Sequence, residues 1–119
     1  MPSEFDDVQA LLPLPPATFH ILLALTGDVR HGYAIIQDVA SRTNGELRLS
    51  AGTLYRSVAR MVEQGLIAEV AKRRTVADDE RRRYYRITPF GTAVARAEMR
   101  RLTDLVRLAQ ASGLKPRPA

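Results

Sequence analysis

A short segment in the middle of the chain carries hydroxyl and guanidinium side chains whose chemistry suits the edges of DNA bases. Thr53, Arg56 and Arg60 lie within the run from Leu49 to Ile67. An arginine can donate two hydrogen bonds to a guanine edge, and a threonine can hydrogen-bond to a base or contact a thymine methyl group. The three residues are therefore candidates for reading bases in a major groove. Without the rest of the chain, a solvated helix face would explain them equally well.

The same run has the signals of a helix that begins at Ser50 and ends at Gly65. A serine hydroxyl at the N-cap can accept a hydrogen bond from a backbone N–H of the first turn. Glycine readily adopts the left-handed conformation that commonly ends a helix. Between these ends, one apolar stripe at helical spacing consists of Leu54, Val58, Met61 and Val62. The stripe leaves the three candidate base-reading residues on another face.

Two short apolar runs, 66–72 and 84–88, flank a charged connection and predict an antiparallel hairpin. Basic hairpin arms suit phosphate contacts or a narrow minor groove, where the negative potential favours arginine. The acidic tip of the connection, Asp78, Asp79 and Glu80, argues against entry of the tip itself into a groove. An ordinary solvated loop is the alternative. The basic residues of the two arms are Lys72, Arg73, Arg74, Arg81, Arg82 and Arg83.

Three tyrosines close to these charges could each hydrogen-bond a phosphate. Tyr55 is the candidate phosphate contact from the helix. Tyr84 and Tyr85 are neighbours on the second strand and must point to opposite faces. Tyr85 shares a face with Ile87 and is predicted to enter the core, whereas Tyr84 shares a face with Arg86 and is predicted to point outward.

The distribution of charge favours a nucleic acid as the partner of this region. The formal net charge of the 119 residues is +5, but it is −3 over residues 1–55 and +8 from Arg56 onward. The positive charge therefore begins inside the predicted recognition helix and continues through the hairpin, where a phosphate backbone would be met. A membrane surface is a poorer partner, because no basic amphipathic helix has aromatic anchors.

The remaining elements place this helix third in a small helical domain. Residues 1–14 predict an N-terminal arm, either a short helical turn or mobile. Pro15 and Pro16 precede an apolar first helix that ends near Gly27, and a second helix runs over about 32–43. The core face of that second helix is predicted to carry Tyr33, Ile36, Val39 and Ala40. A brief extended connection, 46–49, leads to the third helix.

A long helix is predicted after the hairpin, because Thr88 and Pro89 repeat the signals of a helix start. The predicted fold is mainly α with a small antiparallel β-hairpin: a winged helix-turn-helix over 15–88, a long C-terminal helix over 89–112 and a tail over 113–119. The long helix has an apolar seam that needs a partner. It could pack on its own domain, but a second copy of the chain is the more economical partner. The seam consists of Ala95, Met99, Leu102, Leu105, Val106 and Ala109.

Other chemistries have little support in the residues. The chain contains no cysteine, which excludes disulfides, thiolate nucleophiles and cysteine-based zinc sites. The two histidines, His20 and His31, have no neighbours arranged as metal ligands, and no catalytic arrangement is recognisable from spacing. We therefore predict a non-enzyme without metal or cofactor. No apolar run is long enough for a membrane span and no secretory leader is present, so a cytoplasmic location is expected.

Four motifs in this order resemble the PadR family of bacterial transcriptional regulators, over roughly Leu14 to Ala109. The motifs are His31-Gly-Tyr33, Leu49-Ser-Ala-Gly-Thr-Leu-Tyr55, Glu63-Gln-Gly-Leu-Ile67, and Arg83-Tyr-Tyr-Arg-Ile-Thr88 with Gly91. The resemblance implies a winged helix-turn-helix dimer, usually a repressor, whose C-terminal helix mediates dimerisation and whose operator is an inverted repeat. It also implies that residues 50–60 form the recognition element. The family's wing is often shorter and richer in glycine than the acidic-tipped connection of this chain.

The resemblance further implies that a phenolic or other hydrophobic effector releases the operator by binding near the dimer interface. Candidate liners of such a pocket are Phe19, Phe90, Met99 and Leu102, although core packing explains them equally well. Two alternatives to a DNA-binding regulator stay open. One is a winged-helix module whose basic wing binds an acidic protein surface, and the other is a carrier of hydrophobic compounds.

Overall fold

The computed structural model describes residues 3–71 and 83–118 and confirms a mainly helical fold with a small antiparallel sheet. In chain order, the elements are α1 (Glu4–Ala10), α2 (Pro16–Leu25), β1 (Arg30–His31), α3 (Gly32–Arg42), α4 (Ala51–Glu63), β2 (Ile67–Val70), β3 (Tyr84–Ile87) and α5 (Pro89–Ala111). No helix in these ranges is long and apolar enough to cross a membrane.

The N-terminal segment is a helix docked on the rest of the molecule rather than a mobile arm. The Ser3 hydroxyl accepts a hydrogen bond from the backbone N–H of Asp6, and the Asp6 carboxylate accepts one from the backbone N–H of Ser3. This reciprocal cap holds the first turn of α1. Val8 on α1 is buried in the main hydrophobic core, and α1 packs against α5. One buried side chain is a weak sequence signal, which is why the segment reads as an arm in the sequence.

Helices α2, α3 and α4 form the core of the domain. α2 begins at Pro16, where the fixed φ of proline suits the first helical position, and Ile21, Leu22 and Leu25 on α2 are fully buried. On α3 the buried residues are Gly32, Ile35 and Val39. Of the predicted core face, Val39 is buried and Ile36 and Ala40 are half-buried, but Tyr33 is 62% exposed, so the prediction was wrong at Tyr33. The connection over 46–49 contains no strand.

The wing belongs to a three-stranded antiparallel sheet with the order β1-β3-β2, rather than to a two-stranded hairpin. The predicted pair is present, with Ile67 opposite Ile87 and Val70 opposite Tyr84. The additional strand, β1, has only two residues and pairs with β3, His31 lying opposite Tyr84. A strand of two residues shows no alternation that a sequence pattern could reveal.

The long helix α5 begins against the sheet and ends away from the core. The Thr88 hydroxyl accepts a hydrogen bond from the Gly91 backbone N–H at 2.9 Å, and it donates to the Gly65 carbonyl. This capping threonine thus joins the start of α5 to the end of α4. Gly91 and Val94 are buried, whereas the part of α5 beyond Glu98 contains no buried residue.

Candidate nucleic-acid interface

Helix α4 presents a polar face to solvent and buries a narrow apolar stripe. The Ser50 hydroxyl accepts a hydrogen bond from the Thr53 backbone N–H at 3.1 Å and donates one to the Thr53 hydroxyl at 3.0 Å. Leu54, Val58 and Met61 are buried as predicted, but Val62 is 41% exposed and does not belong to the stripe. Val62 follows Met61 directly, so its side chain points about 100° around the helix from that of Met61 and away from the core.

The candidate base-reading residues lie on the open side of α4. Arg56 and Arg60 are exposed, and Thr53 is half-buried. Gly52 and Ala59 are also exposed on this helix. Because Gly52 precedes Arg56 by one turn and Ala59 precedes Arg60 directly, the helix surface beside both arginines carries small side chains and leaves room for a ligand to approach. Sequence reasoning did not assign a role to these two residues, although their small size was the available signal.

Tyr55 lies where α4 approaches the start of α3. A Cβ atom on residue 32 would lie 2.8 Å from the Tyr55 hydroxyl oxygen and 3.0 Å from Cδ2 of Leu54, so a glycine at this position lets the tyrosine approach α3 without being displaced. Next to this glycine, Nδ1 of His31 accepts a hydrogen bond from the Ala34 backbone N–H at 3.2 Å and caps α3. His31 and Gly32 of one sequence motif and Tyr55 of another therefore lie together where α3 and α4 meet. Tyr55 still has 53% of its surface exposed and can reach a ligand.

The start of β3 and the middle of α4 meet at a shallow hollow of about 320 Å³. Its lining residues are Tyr55, Val58, Ala59, Arg83 and Tyr85. The hollow brings together Tyr55 and Arg83, which were predicted separately as phosphate contacts. The Arg83 guanidinium is exposed and lies 3.9 Å from the Glu69 carboxylate, a distance at which the pairing is weak. Arg83 is therefore available to an anionic ligand at little energetic cost.

The two strand tyrosines are both buried. Tyr85 enters the core as predicted, and its burial, assisted by the charge of Glu69, raises the pKa of its phenol above the usual value, so the group stays neutral. The prediction that Tyr84 points outward was wrong. The ring of Tyr84 packs edge-on against His31, with 5.5 Å between ring centroids, because β1 pairs with the edge of β3 that a two-stranded hairpin would leave open and places His31 directly opposite Tyr84.

The other basic residues of the predicted wing arms lie outside the described residues, as does the acidic tip. These are Lys72, Arg73, Arg74, Arg81 and Arg82, together with Asp78, Asp79 and Glu80. Of the predicted wing arginines, only Arg83 is placed by the structure. Arg86, on β3, is also exposed and was not assigned a role from the sequence.

The far half of α5 exposes a continuous apolar surface. Met99, Leu102, Leu105 and Val106 are all exposed, whereas Ala95 is half-buried and packs against the core, and Ala109 is half-buried. Leu108 is exposed beside them. Large apolar side chains gathered on one helix face are typical of an interaction surface.

The candidate effector-pocket residues do not line the groove that the structure shows beside α1. That groove, of about 820 Å³, lies between α1 and α5 and includes Phe5, Val8 and Arg100 in its lining. Phe90 lines a smaller depression with Asp7, Leu11 and Gln64. Phe19 packs against the core, and Met99 and Leu102 lie on the exposed face of α5. In the described ranges, no three His, Asp or Glu side chains gather as metal ligands would.

The order of the elements and the position of the sheet define the class of protein. Three packed helices, of which α4 is the third, are followed by a wing and a long final helix, so the fold is a winged helix-turn-helix. The sequence model of the PadR-like family of transcriptional regulators matches residues 21–97. The chain therefore belongs to the PadR-like family.

Individual relatives agree with this assignment. The transcriptional regulator Rv3488 of Mycobacterium tuberculosis is 35% identical over 88 residues, which cover 74% of this chain and 77% of that protein. A transcriptional regulator of Clostridium thermocellum has the same fold, with a TM-score of 0.68 at 23% identity over 97% of this chain and 99% of that one. A PadR family regulator of Clostridium difficile has a TM-score of 0.68 at 21% identity, covering 82% of this chain and 97% of that one.

Proposed function

We propose that this protein is a homodimeric transcriptional repressor in the cytoplasm that binds an inverted-repeat operator in double-stranded DNA. In this proposal, residues 15–88 bind DNA and residues 89–112 form the dimer. Two copies of α4 enter successive major grooves, about one helical turn apart. Thr53, Arg56 and Arg60 read bases, while Tyr55 and the wing arginines contact phosphates. Repression follows when the bound dimer blocks a promoter.

The observation that carries the proposal is the hollow between α4 and β3. A helix that enters a major groove has the phosphate backbone along its flanks, and the hollow presents a phenol from Tyr55 and a guanidinium from Arg83 on that flank. The exposed arginines Arg56 and Arg60 lie on the same helix as Tyr55. The residues proposed to read bases and the tyrosine proposed to hold a phosphate therefore belong to one helix, which supports the proposal.

The test compares two arginines with different proposed roles. Arg56→Ala removes a base contact and is expected to relax base preference at one position of each half-site, at a cost of about 1–3 kcal/mol on the preferred sequence. Arg83→Ala removes a phosphate contact and is expected to weaken all DNA alike and to lower the salt slope by about one per protomer. Binding would be measured on fragments selected from genomic DNA, across a range of salt concentrations.

The matched control is Arg117→Ala, which removes an exposed arginine beyond the end of α5, outside the proposed DNA-binding and dimer regions, and should leave base preference and salt slope unchanged. If neither Arg56→Ala nor Arg83→Ala alters DNA binding, the DNA-binding proposal is wrong. A protein-interaction module with an acidic partner would lose partner binding, and not DNA binding, in the Arg83 variant.

Release by a small hydrophobic effector is a separate part of the proposal. An effector can shift the protein between two states only if it binds one of them better. Titration of phenolic compounds into the protein–operator complex, followed by fluorescence anisotropy, tests this part. Release at effector concentrations that leave the protein folded supports it, whereas unchanged operator affinity across the series contradicts it.

A further inference from the structure

Glu98 is a buried carboxylate that joins α5 to the segment between α1 and α2. It lies on α5 with only 2% of its surface exposed. Its carboxylate accepts a hydrogen bond from the Leu14 backbone N–H at 2.8 Å, and it is bonded to the guanidinium of Arg101, one turn later on α5. A buried charge is tolerated only when such partners replace water. The recognition and dimer surfaces described above do not use this group.

The bond from Glu98 reaches the chain immediately before α2. Leu14 is itself buried and is separated from α2, which begins at Pro16, by Pro15 alone. The φ angles of Pro15 and Pro16 are fixed, and Leu14 is restricted because it precedes a proline, so fewer rotations are available between the anchored amide and the helix. Glu98 therefore holds the entry to the head, which we define as α2 through β3.

On the other side, Glu98 marks the point at which α5 leaves the head. Val94, one turn earlier, is fully buried, and none of the residues over 99–111 is buried. These 13 residues, which we call the projecting half, extend for about 20 Å. A small change of angle at the base of such a lever produces a large displacement at its end.

We propose that Glu98 is a positioning residue that sets the angle between the head and the projecting half of α5, and through it the separation of the two recognition helices in the dimer. This inference rests on the proposed dimer that binds an inverted repeat. The separation and relative rotation of the two recognition helices must match the operator closely. Adding one base pair between half-sites moves one of them by about 3.4 Å and turns it by about 35°.

Two conservative variants separate the effect of the length of the Glu98 side chain from the effect of its charge. Glu98→Asp keeps the carboxylate but shortens the side chain by one carbon–carbon bond, about 1.5 Å, so it no longer reaches the Leu14 amide. Glu98→Gln loses the charge but keeps an oxygen that can accept that hydrogen bond, while half-buried Arg101 can turn to solvent. Asp104→Asn is the control, because it replaces an exposed carboxylate on the same helix with an amide.

The first readout is operator affinity as a function of half-site spacing. For the wild type, we expect roughly a tenfold loss of affinity when the spacing changes by one base pair, because the rigid dimer or the DNA must deform. Glu98→Asp should reduce this discrimination to about twofold, whereas Glu98→Gln and Asp104→Asn should keep the wild-type ratio. An equal loss by Glu98→Asp at every spacing would indicate a purely structural role and overturn the inference.

The second readout does not involve DNA. Because the chain has no cysteine, Glu63→Cys on the exposed end of α4 allows one spin label per head. Pulsed electron paramagnetic resonance then measures the distance between the heads in the free dimer. We expect Glu98→Asp to broaden the distance distribution about twofold and Glu98→Gln to leave it unchanged.

The two readouts distinguish failure of this inference from failure of the proposed function. If the wild type binds no inverted repeat, the proposed function is wrong, and the distance distributions alone decide the role of Glu98. If the wild type binds its operator but Glu98→Asp retains both the spacing discrimination and the narrow distribution, Glu98 does not position the heads. A chain that gives no inter-head distance because it is monomeric overturns the inference together with the dimer.

Discussion

At the scale of single residues, two helical glycines show how differently the same residue type is constrained. A Cβ atom on residue 91 would lie 2.0 Å from the Leu66 carbonyl oxygen, so α5 can approach the end of α4 only without a side chain at this position. A Cβ atom on residue 52 would contact only the Arg56 guanidinium, at 3.5 Å. Gly91 is therefore required by packing, whereas Gly52 is not.

We predict opposite effects of alanine at these two glycines on stability. Gly91→Ala should lower the free energy of unfolding by at least about 2 kcal/mol, because backbone atoms must separate to admit the methyl group. Gly52→Ala, its matched control, should raise it by up to about 0.5–1 kcal/mol, because alanine restricts the unfolded chain more than glycine does. Urea unfolding followed by circular dichroism measures both. Equal stability of the two variants would contradict the packing role of Gly91.

The buried carboxylate of Glu98 predicts a dependence of stability on pH. The hydrogen bond from Arg101, assisted by that from the Leu14 amide, holds the pKa of Glu98 below its ordinary value of 4.5, although burial acts in the opposite direction. A carboxyl whose pKa is lower in the folded state contributes stability above its unfolded pKa and loses this contribution as the pH falls through its folded pKa. The free energy of unfolding of the wild type, relative to Glu98→Gln, should therefore decrease as the pH is lowered below about 4.5. A difference between the two proteins that stays constant from pH 7 to pH 3 would contradict this linkage.

At the scale of elements, the sequence predicts those helices and strands whose ends carry strong local signals. Ser50 and Thr88 both act as N-caps at the expected positions, so α4 and α5 begin where predicted. The short elements α1 and β1 depend on tertiary partners, and their few residues contain little periodic signal. Tyr84, which was predicted to point outward, is buried because β1 pairs with β3 and places His31 opposite it.

In the candidate site, the sequence likewise predicts features that depend on one helix but not contacts between elements. Arg56 and Arg60 are exposed as the helical spacing predicts, because such spacing fixes which side of a helix is polar. The meeting of Tyr55 with Gly32 and Arg83 was not predictable, since it depends on how α3, α4 and β3 pack. The burial of Glu98 was not predictable from the sequence either, because a glutamate on a helix is usually exposed to solvent.

The cap of α4 gives a prediction that separates stability from DNA binding. Ser50→Ala removes the acceptor for the Thr53 backbone N–H and should lower the free energy of unfolding by about 1 kcal/mol. Ser50→Asp keeps an acceptor and should retain stability, but its negative charge at the start of α4, the proposed recognition helix, should weaken operator binding. Thermal unfolding and operator titration of both variants measure the two effects. Wild-type operator affinity in Ser50→Asp would show that the start of α4 does not approach phosphates.

At the scale of the whole molecule, the projecting half of α5 exposes large apolar side chains that a single chain does not bury. α5 has 23 residues and a length of about 34 Å, and its far half exposes Met99, Leu105 and Val106 together. Burial of this surface against a second copy would remove large apolar side chains from water. In the proposed dimer, this contact would link the heads, so that two copies of α4 would bind one operator.

We predict that Leu105→Glu converts the protein to a monomer and weakens operator binding by at least about 100-fold, because each head then binds its half-site alone. Leu105 is 48% exposed in the single chain, so a glutamate there is tolerated by the monomer fold but not in an apolar interface. The matched control is Leu114→Glu, the same change at an exposed leucine beyond the end of α5. Analytical ultracentrifugation and operator titration should show a dimer with wild-type affinity for the control. A dimeric Leu105→Glu variant would place the interface on another surface, and a monomer with wild-type affinity would show that DNA binding does not require two linked heads.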